Sequence, residues 1–283
     1  MIEHSTEIKA GTRFNFGKNW TSFLNVLNDE RIQVAEDSLR KMLGVVDLKG
    51  KRFLDVGSGS GLFSLAARRM GAVVHSFDYD PDSVVCTAEL KRRYFQDDPL
   101  WIIEEGSALD KNYLAGLGKF DVVYSWGVLH HTGAMWEALD NVAELVAMRG
   151  KLFIAIYNDQ YWQSRLWHLI KKTYNRLHPL LKTPFVCLIM LPRDLMTFAV
   201  SLLKGKPGAY ISNIINYSKK SSRGMNYYYD MVDWVGGYPF EVAKPEEIFD
   251  FLYQRGFALK KLTTCGGGLG CNEFVFTLEQ PEQ

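Results

Sequence analysis

The chain is poor in cysteine, with Cys86, Cys187, Cys265 and Cys271 scattered through 283 residues. That scarcity excludes a disulfide framework and points to a reducing, cytoplasmic compartment. Cys265 and Cys271 bracket Gly-Gly-Gly-Leu-Gly, but five intervening residues and no second Cys or His pair make a poor zinc site, so no metal is expected. An excess of charge is missing too. Lys plus Arg total 33 and Asp plus Glu 32, a formal net charge of +1, which leaves no bulk field to gather nucleic acid as a partner. Long apolar runs are also absent: Pro184 to Leu191, in the most apolar region, falls well short of the ~20 residues of a membrane span. Met1 to Glu7 lacks the apolar core of a signal peptide.

Glycine, by contrast, is placed with purpose. Phe53 to Gly61 reads Phe-Leu-Asp-Val-Gly-Ser-Gly-Ser-Gly, an apolar strand followed by three glycines two residues apart. Glycine permits positive φ and close approach of backbone to a ligand, so this pattern implies a tight turn beside a nucleoside. A dinucleotide turn needs Gly-x-Gly-x-x-Gly, and here the three-residue step lands on Leu62. With Asp55 two residues before the first glycine, the stretch resembles the first motif of the class I S-adenosylmethionine-dependent methyltransferases. The resemblance implies that Asp55, Gly57, Ser58, Gly59 and Gly61 hold the aminocarboxypropyl end of that cofactor.

Around the motif, strands and helices alternate. A helix from Asn28 to Gly44 precedes strand one at Arg52 to Val56. A helix at Leu62 to Met70 leads to strand two at Val73 to Phe77, ending at Asp78. A helix from about Pro81 to Phe95 leads to strand three at Trp101 to Glu104 and strand four at Phe120 to Ser125. A helix at Trp136 to Val146 and strand five at Leu152 to Ile156 complete the series. Residues 160–240 break the alternation as a helical, aromatic insertion. Pro245 then starts a last helix, and Phe257 to Thr264 and Glu273 to Leu278 form an antiparallel pair. The expectation is an α/β fold: a doubly wound, mostly parallel seven-stranded sheet with an antiparallel last strand and a helical insertion after strand five. Residues 1–48 read as an N-terminal arm and helix acting as a lid, 49–159 as the cofactor-binding core, 160–240 as a cap, and 241–283 as the end of the sheet.

The resemblance also distributes roles along the strand ends. Asp78 takes the ribose hydroxyls and Tyr79 lies beside the adenine. Gly106-Ser107-Ala108 stands where the family has Gly-Asp-Ala, so Ser107 and Ala108, or Asp110, meet the base. Phe-Asp-Val-Val-Tyr-Ser-Trp-Gly-Val-Leu-His-His-Thr, from Phe120 to Thr132, matches the fourth-strand motif. It puts Ser125, Trp126 and Gly127 against the methionine part and His130 and His131 beside the acceptor. An imidazole titrates near neutral pH and suits removal of the acceptor's proton, although either ring can instead cap a helix or pack locally.

In the arm, Trp20 and Phe16 exclude water in the lid reading, with Arg13 and Asn19 bonding cofactor or substrate. Tyr157, Tyr229, Tyr238 and Glu241 are the candidate acceptor contacts, since aromatic faces with a few polar groups suit a sugar or phenolic ring. Residues 180–206 are apolar with flanking lysines, and Pro192, Arg193 and Asp194 are expected to break them. This piece either lies on a membrane surface, holds a lipid-like acceptor, or packs on the sheet or a second subunit as a homodimer contact. The chain resembles the branch that includes ubiquinone-biosynthesis O-methyltransferases and many tailoring enzymes of natural products and surface sugars, which implies a small or lipid-linked acceptor. Methylation of protein or RNA and a non-catalytic cofactor-binding scaffold are the alternatives.

Overall fold

In a computed structural model, residues 2–17, 20, 24, 27–206, 208–217 and 227–279 are described. Helix α1 (Ile2–Lys9) and helix α2 (Asp29–Leu43) precede strand β1 (Arg52–Val56). Then come α3 (Leu62–Arg69), β2 (Val73–Asp78), α4 (Pro81–Tyr94), β3 (Trp101–Glu105), α5 (Lys111–Leu117), β4 (Phe120–Trp126), α6 (Met135–Ala143) and β5 (Val146–Tyr157). Among the described residues of the insertion, four helices follow: α7 (Trp162–Arg176), α8 (Pro179–Leu203), α9 (Gly208–Ile215) and α10 (Tyr227–Gly236). The chain ends with α11 (Pro245–Tyr253), β6 (Phe257–Thr263) and β7 (Cys271–Leu278).

The seven strands lie in the order β3-β2-β1-β4-β5-β7-β6. Every pairing from β3 to β5 is parallel, and β7 runs antiparallel to both neighbours. Because strand side chains alternate sides, neighbouring residues feed different cores. Leu54, Val123 and Ile154 pack on one face with Leu139, Phe274 and Phe276. Phe53, Val122 and Phe153 pack on the other with Ile32, Leu39 and Leu65. Each such fully buried side chain contributes about 1.5–3 kcal/mol from its removal from water.

Local signals explain the helix ends. The Asn28 side chain accepts the N–H of Arg31 at 3.0 Å, and Gly44 closes α2 at φ 64°. Two expected boundaries shift. Val146 belongs to β5 rather than to the preceding helix, because it pairs with Phe120, and the register slips before Val122 resumes opposite Lys151. The break expected at Pro192 is absent. Pro184 and Pro192 both sit inside a continuous 25-residue α8, whose apolar sequence holds the helix through two prolines that each remove one backbone donor.

The insertion leaves and rejoins the sheet at one point. Asn158 bridges Ala243, and the N–H of Ala243 donates to Tyr157 O at 3.0 Å. Its own small core joins Tyr174, Val186, Met190, Met231 and Val235 to Phe14 of the arm. The arm is therefore fastened to the insertion, while α2 is fastened to the sheet. A second link, Phe14 N–H to Tyr238 O at 2.8 Å, reinforces the first.

Candidate active site

At the carboxyl ends of β1, β2 and β4 the sheet opens into a cleft of about 1380 Å³. Ligand pockets for one small molecule run to about 1,000 Å³, so there is space for two reactants. The glycine turn forms its floor, but the three glycines do different work. Gly57 has φ 76°, and an alanine Cβ there would lie 2.3 Å from Val128 Cγ1, so the missing side chain lets the loop after β4 come close. Gly59, at φ 54°, lies under the indole of Trp20, whose ring atoms come within 3.3 Å of where a Cβ would stand. Gly61 faces Thr87 of α4 rather than the cleft, so its role is helix packing.

Two carboxyls stand beside the turn. Asp78 accepts Gly59 N–H on Oδ2 and Asp80 N–H on Oδ1, both at 2.8 Å, and burial pushes it up to about 6. Asp55 accepts the Ser64 hydroxyl at 2.5 Å and is pushed up to about 7, again chiefly by burial. The hydroxyl of Tyr124, which lines the same cleft, is buried without a hydrogen-bond partner among the described residues. Burial holds its phenol well above the usual range. Trp126 donates its indole N–H to Glu273 at 2.8 Å, which brings a carboxylate from β7 into the cleft wall.

The strand-three turn lines the cleft with Gly106, Ser107, Ala108 and Asp110. Ser107 Oγ accepts Leu109 N–H at 3.1 Å, and Asp110 caps α5 by accepting Tyr113 N–H at 3.0 Å. Both side chains thus shape the turn before they meet any ligand. Ser125 is fully buried and donates to Val56 O at 3.1 Å, tying β4 to β1. The cleft is lined instead by its neighbours Tyr124, Trp126 and Gly127.

The two histidines part company. His131 lines the cleft, and its Nδ1 lies 2.6 Å from Pro239 O. A carbonyl oxygen accepts and never donates, so Nδ1 carries the proton and Nε2 is the ring's basic nitrogen. His130 is fully buried, accepts Tyr157 N–H on Nδ1 at 3.3 Å, and packs against Tyr157 with the rings tilted and 4.0 Å between their centres. It stands behind His131 as packing.

Arg13 reaches the cleft as a latch. Its guanidinium pairs with Glu7 at 2.6 Å, donates to His131 O at 3.0 Å and Thr132 O at 3.4 Å, and lies over Tyr79 at 4.8 Å. Gly17 N–H adds a bond to Asp80 at 2.8 Å, and Phe16 packs on His131 at 4.8 Å. Glu241 does not line the cleft. Its carboxylate accepts the N–H groups of Gly133 and Met135 at 3.0 Å, capping α6, and burial raises its pKa against those bonds. Glu241→Ala should cost about 0.5–2 kcal/mol of stability in a denaturant titration and leave acceptor KM unchanged. A raised KM with unchanged stability would restore Glu241 as a substrate contact.

Tyr238 accepts Phe14 N–H on its carbonyl, and its ring packs on His168 at 5.6 Å, away from the cleft. Tyr157 does line it, with Phe16, Asp233 and Trp234 forming the rest of the outer wall. Asn19 and the side chain of Tyr229 lie outside the described residues. Glu273 had no local signal, because the pairing of β7 with β5 brings it in.

A seven-stranded sheet with a reversed β7 and an acid-then-glycine turn defines a class I S-adenosylmethionine-dependent methyltransferase. The chain belongs to the methyltransferase domain family whose model matches residues 27–181. It is similar to the tRNA U34 carboxymethyltransferase of Pseudomonas savastanoi pv. phaseolicola, 32% identical over 139 residues covering 44% of this chain and 42% of that one. It is likewise similar to the ubiquinone biosynthesis O-methyltransferase of Coxiella burnetii, 28% identical over 151 residues, 53% of this chain and 59% of the relative. The chain thus spans about half the length of the curated relatives it matches. Among solved structures, magnesium protoporphyrin IX methyltransferase from Synechocystis PCC 6803 shares the fold, with TM-score 0.51 and 14% identity over 87% of this chain and 82% of that one.

The cleft suits S-adenosylmethionine on its own chemistry. Gly57 and Gly59 would hold the aminocarboxypropyl end, with the Tyr124 hydroxyl and Asp55 nearby. Asp78 keeps acceptor capacity for the ribose hydroxyls, and Tyr79 with the Ser107 turn flanks the base.

Asp78 also gives a pH test. A carboxyl raised from 3.8 to about 6 favours the folded state fully below pH 3.8 and loses that contribution as pH rises through 6. Cofactor binding runs the other way, because the protonated acid no longer accepts from two hydroxyls. S-adenosylhomocysteine affinity should be flat above pH 6 and fall about tenfold per unit below it, with proton release visible by calorimetry. An affinity flat down to pH 4.5 would remove Asp78 from the ribose site.

Proposed function

We propose that the protein transfers the methyl group of S-adenosylmethionine to a hydroxyl oxygen of a ring-bearing small or lipid-linked molecule. The observation that carries this reading is His131, with its tautomer set by Pro239 O, at the cleft edge between the cofactor turn and an aromatic wall. When bound, the cofactor supplies a methyl group already activated by a sulfonium. The protein has to orient the acceptor, exclude water and take up one proton.

His131 Nε2 accepts the hydroxyl proton as the oxygen becomes nucleophilic. Nδ1–H stays on Pro239 O throughout, so the ring keeps its orientation and the imidazolium finds an acceptor in place. Phe16, Tyr157 and Trp234 give faces for a ring to lie against, and the aromatic pairs His131–Tyr157 at 5.5 Å and Tyr157–Trp234 at 6.2 Å fix the wall. The arm closes the site by carrying Phe16 and Trp20 over it, held by the Arg13 latch.

Two experiments test this in order. Calorimetry should show S-adenosylhomocysteine binding and no NAD binding, and the reverse would sink the cofactor reading. A panel of phenols, sugars and polyprenyl-linked rings, read by S-adenosylhomocysteine formation, should then give turnover on a hydroxylated ring. Turnover confined to amines or to tRNA would overturn the acceptor class while leaving the cofactor site intact.

A further inference from the structure

We propose that the insertion docks on an anionic lipid bilayer through α8 and α9, with α8 lying along the surface. Residues 160–217 contain eight Lys and Arg against one acid, Asp194, although the whole chain is balanced at 33 to 32. The insertion is therefore a basic body on a neutral protein. Arg165, Arg176, Lys204 and Lys206 are exposed.

The apolar surface lies in the same body. Helix α8 reaches a mean hydropathy of 1.8 over 18 residues, with few of them buried. Val186 and Met190, one turn apart, seat it on the insertion core. Leu188, Leu191, Leu195, Met196, Leu202 and Leu203 are each between 48% and 89% exposed. Ile211 and Ile215 of α9 add 58% and 73%. So large an apolar surface is foreign to an isolated soluble domain, and exposed leucines among cations match the boundary of an anionic bilayer.

Other occupants fit less well. A second copy meeting this face about a twofold axis would set one basic body against another. RNA would answer the charge but gain nothing from leucine and isoleucine. Crossing the bilayer is opposed by Arg193 and Asp194 in mid-helix, paired at 3.3 Å and both bonded to the Tyr227 hydroxyl, which ties the middle of α8 to α10.

The docked face is close to the chemistry. Met231 and Val235 of α10 pack in the core beneath α8, and Asp233 and Trp234 of the same helix line the cleft. An acceptor held in the bilayer by its tail would therefore meet the cleft beside the docking face. That last step rests on the proposed methyl transfer, whereas docking stands without it.

The test is co-sedimentation of the whole chain with phosphatidylcholine vesicles, with and without phosphatidylglycerol. Anionic vesicles should bind at least about tenfold better, since each lysine near such a surface contributes about fivefold. Lys204→Glu with Lys206→Glu should abolish the preference. Leu188→Glu with Leu195→Glu and Leu202→Glu should abolish binding to both vesicles. S-adenosylhomocysteine affinity, unchanged in each variant, certifies the fold and separates failed docking from a failed cofactor reading. Binding indifferent to phosphatidylglycerol and to the leucine changes overturns the proposal. So does absent vesicle binding accompanied by leucine-dependent self-association, which assigns the face to a second copy, or by salt-sensitive tRNA binding, which assigns it to RNA.

Discussion

His131→Gln is expected to lower kcat by about 10²- to 10⁴-fold at neutral pH while S-adenosylhomocysteine affinity stays within about twofold. Glutamine can still reach Pro239 O with its amide, so the loop keeps its shape and the loss reads out proton removal. The pH profile separates this from simple misplacement. A phenolic acceptor ionises by itself near pH 10, and above that pH the variant should recover most of the difference, because no base is needed for a phenolate. His130→Leu should behave in the opposite manner. Losing a buried acceptor for Tyr157 N–H costs about 1–3 kcal/mol of stability, and turnover per folded molecule should fall far less. Normal turnover by His131→Gln at pH 7, or a deficit that persists at pH 10, would remove His131 from the base role.

That contrast between adjacent histidines marks where the sequence stops being explicit. The motif Leu129-His-His-Thr places both rings after β4, and nothing in its spacing says which faces the cleft. The answer comes from Pro239 and Tyr157, more than 100 and 27 residues away in the chain respectively. The order of strands was readable because each element carries its own signal: Asn28 and Gly44 at the ends of α2, the short apolar run of β1 ahead of its glycines, Pro81 and Pro245 at helix starts. The cofactor side was readable for the same reason, since the turn is local. The acceptor side is assembled from the arm, the insertion and β7, so Glu241 looked like a substrate contact and is a helix cap, and Glu273 gave no signal. Helix α8 misled in another way. Its prolines and its Arg-Asp pair carry local weight against a helix, and the packing of Val186, Met190 and Tyr227 outweighs them.

Gly57→Ala is expected to weaken S-adenosylhomocysteine binding by about a hundredfold or more, through two separable strains. The first is backbone: φ 76° is left-handed, and a Cβ there costs about 1–2 kcal/mol. The second is contact, with Val128 Cγ1 at 2.3 Å and Cγ2 at 2.6 Å from the new atom. The loop after β4 has to retreat from the turn, and it carries His131 with it, so turnover should fall further than affinity. Val128→Ala in the same chain removes both γ carbons and should restore most of the contact share, leaving the left-handed strain and the Val128 Cβ at 3.0 Å as a residual defect of about tenfold. The two changes should therefore couple by about 1–3 kcal/mol. Additive losses would show that Val128 is not the obstacle. Gly61→Ala gives the control: its Cβ would meet Thr87 Cα at 2.9 Å, helix backbone that no side-chain trimming can move. Its cost should appear in thermal stability and resist rescue, because Gly61 holds α4 against the turn while Gly57 admits the loop that carries the base.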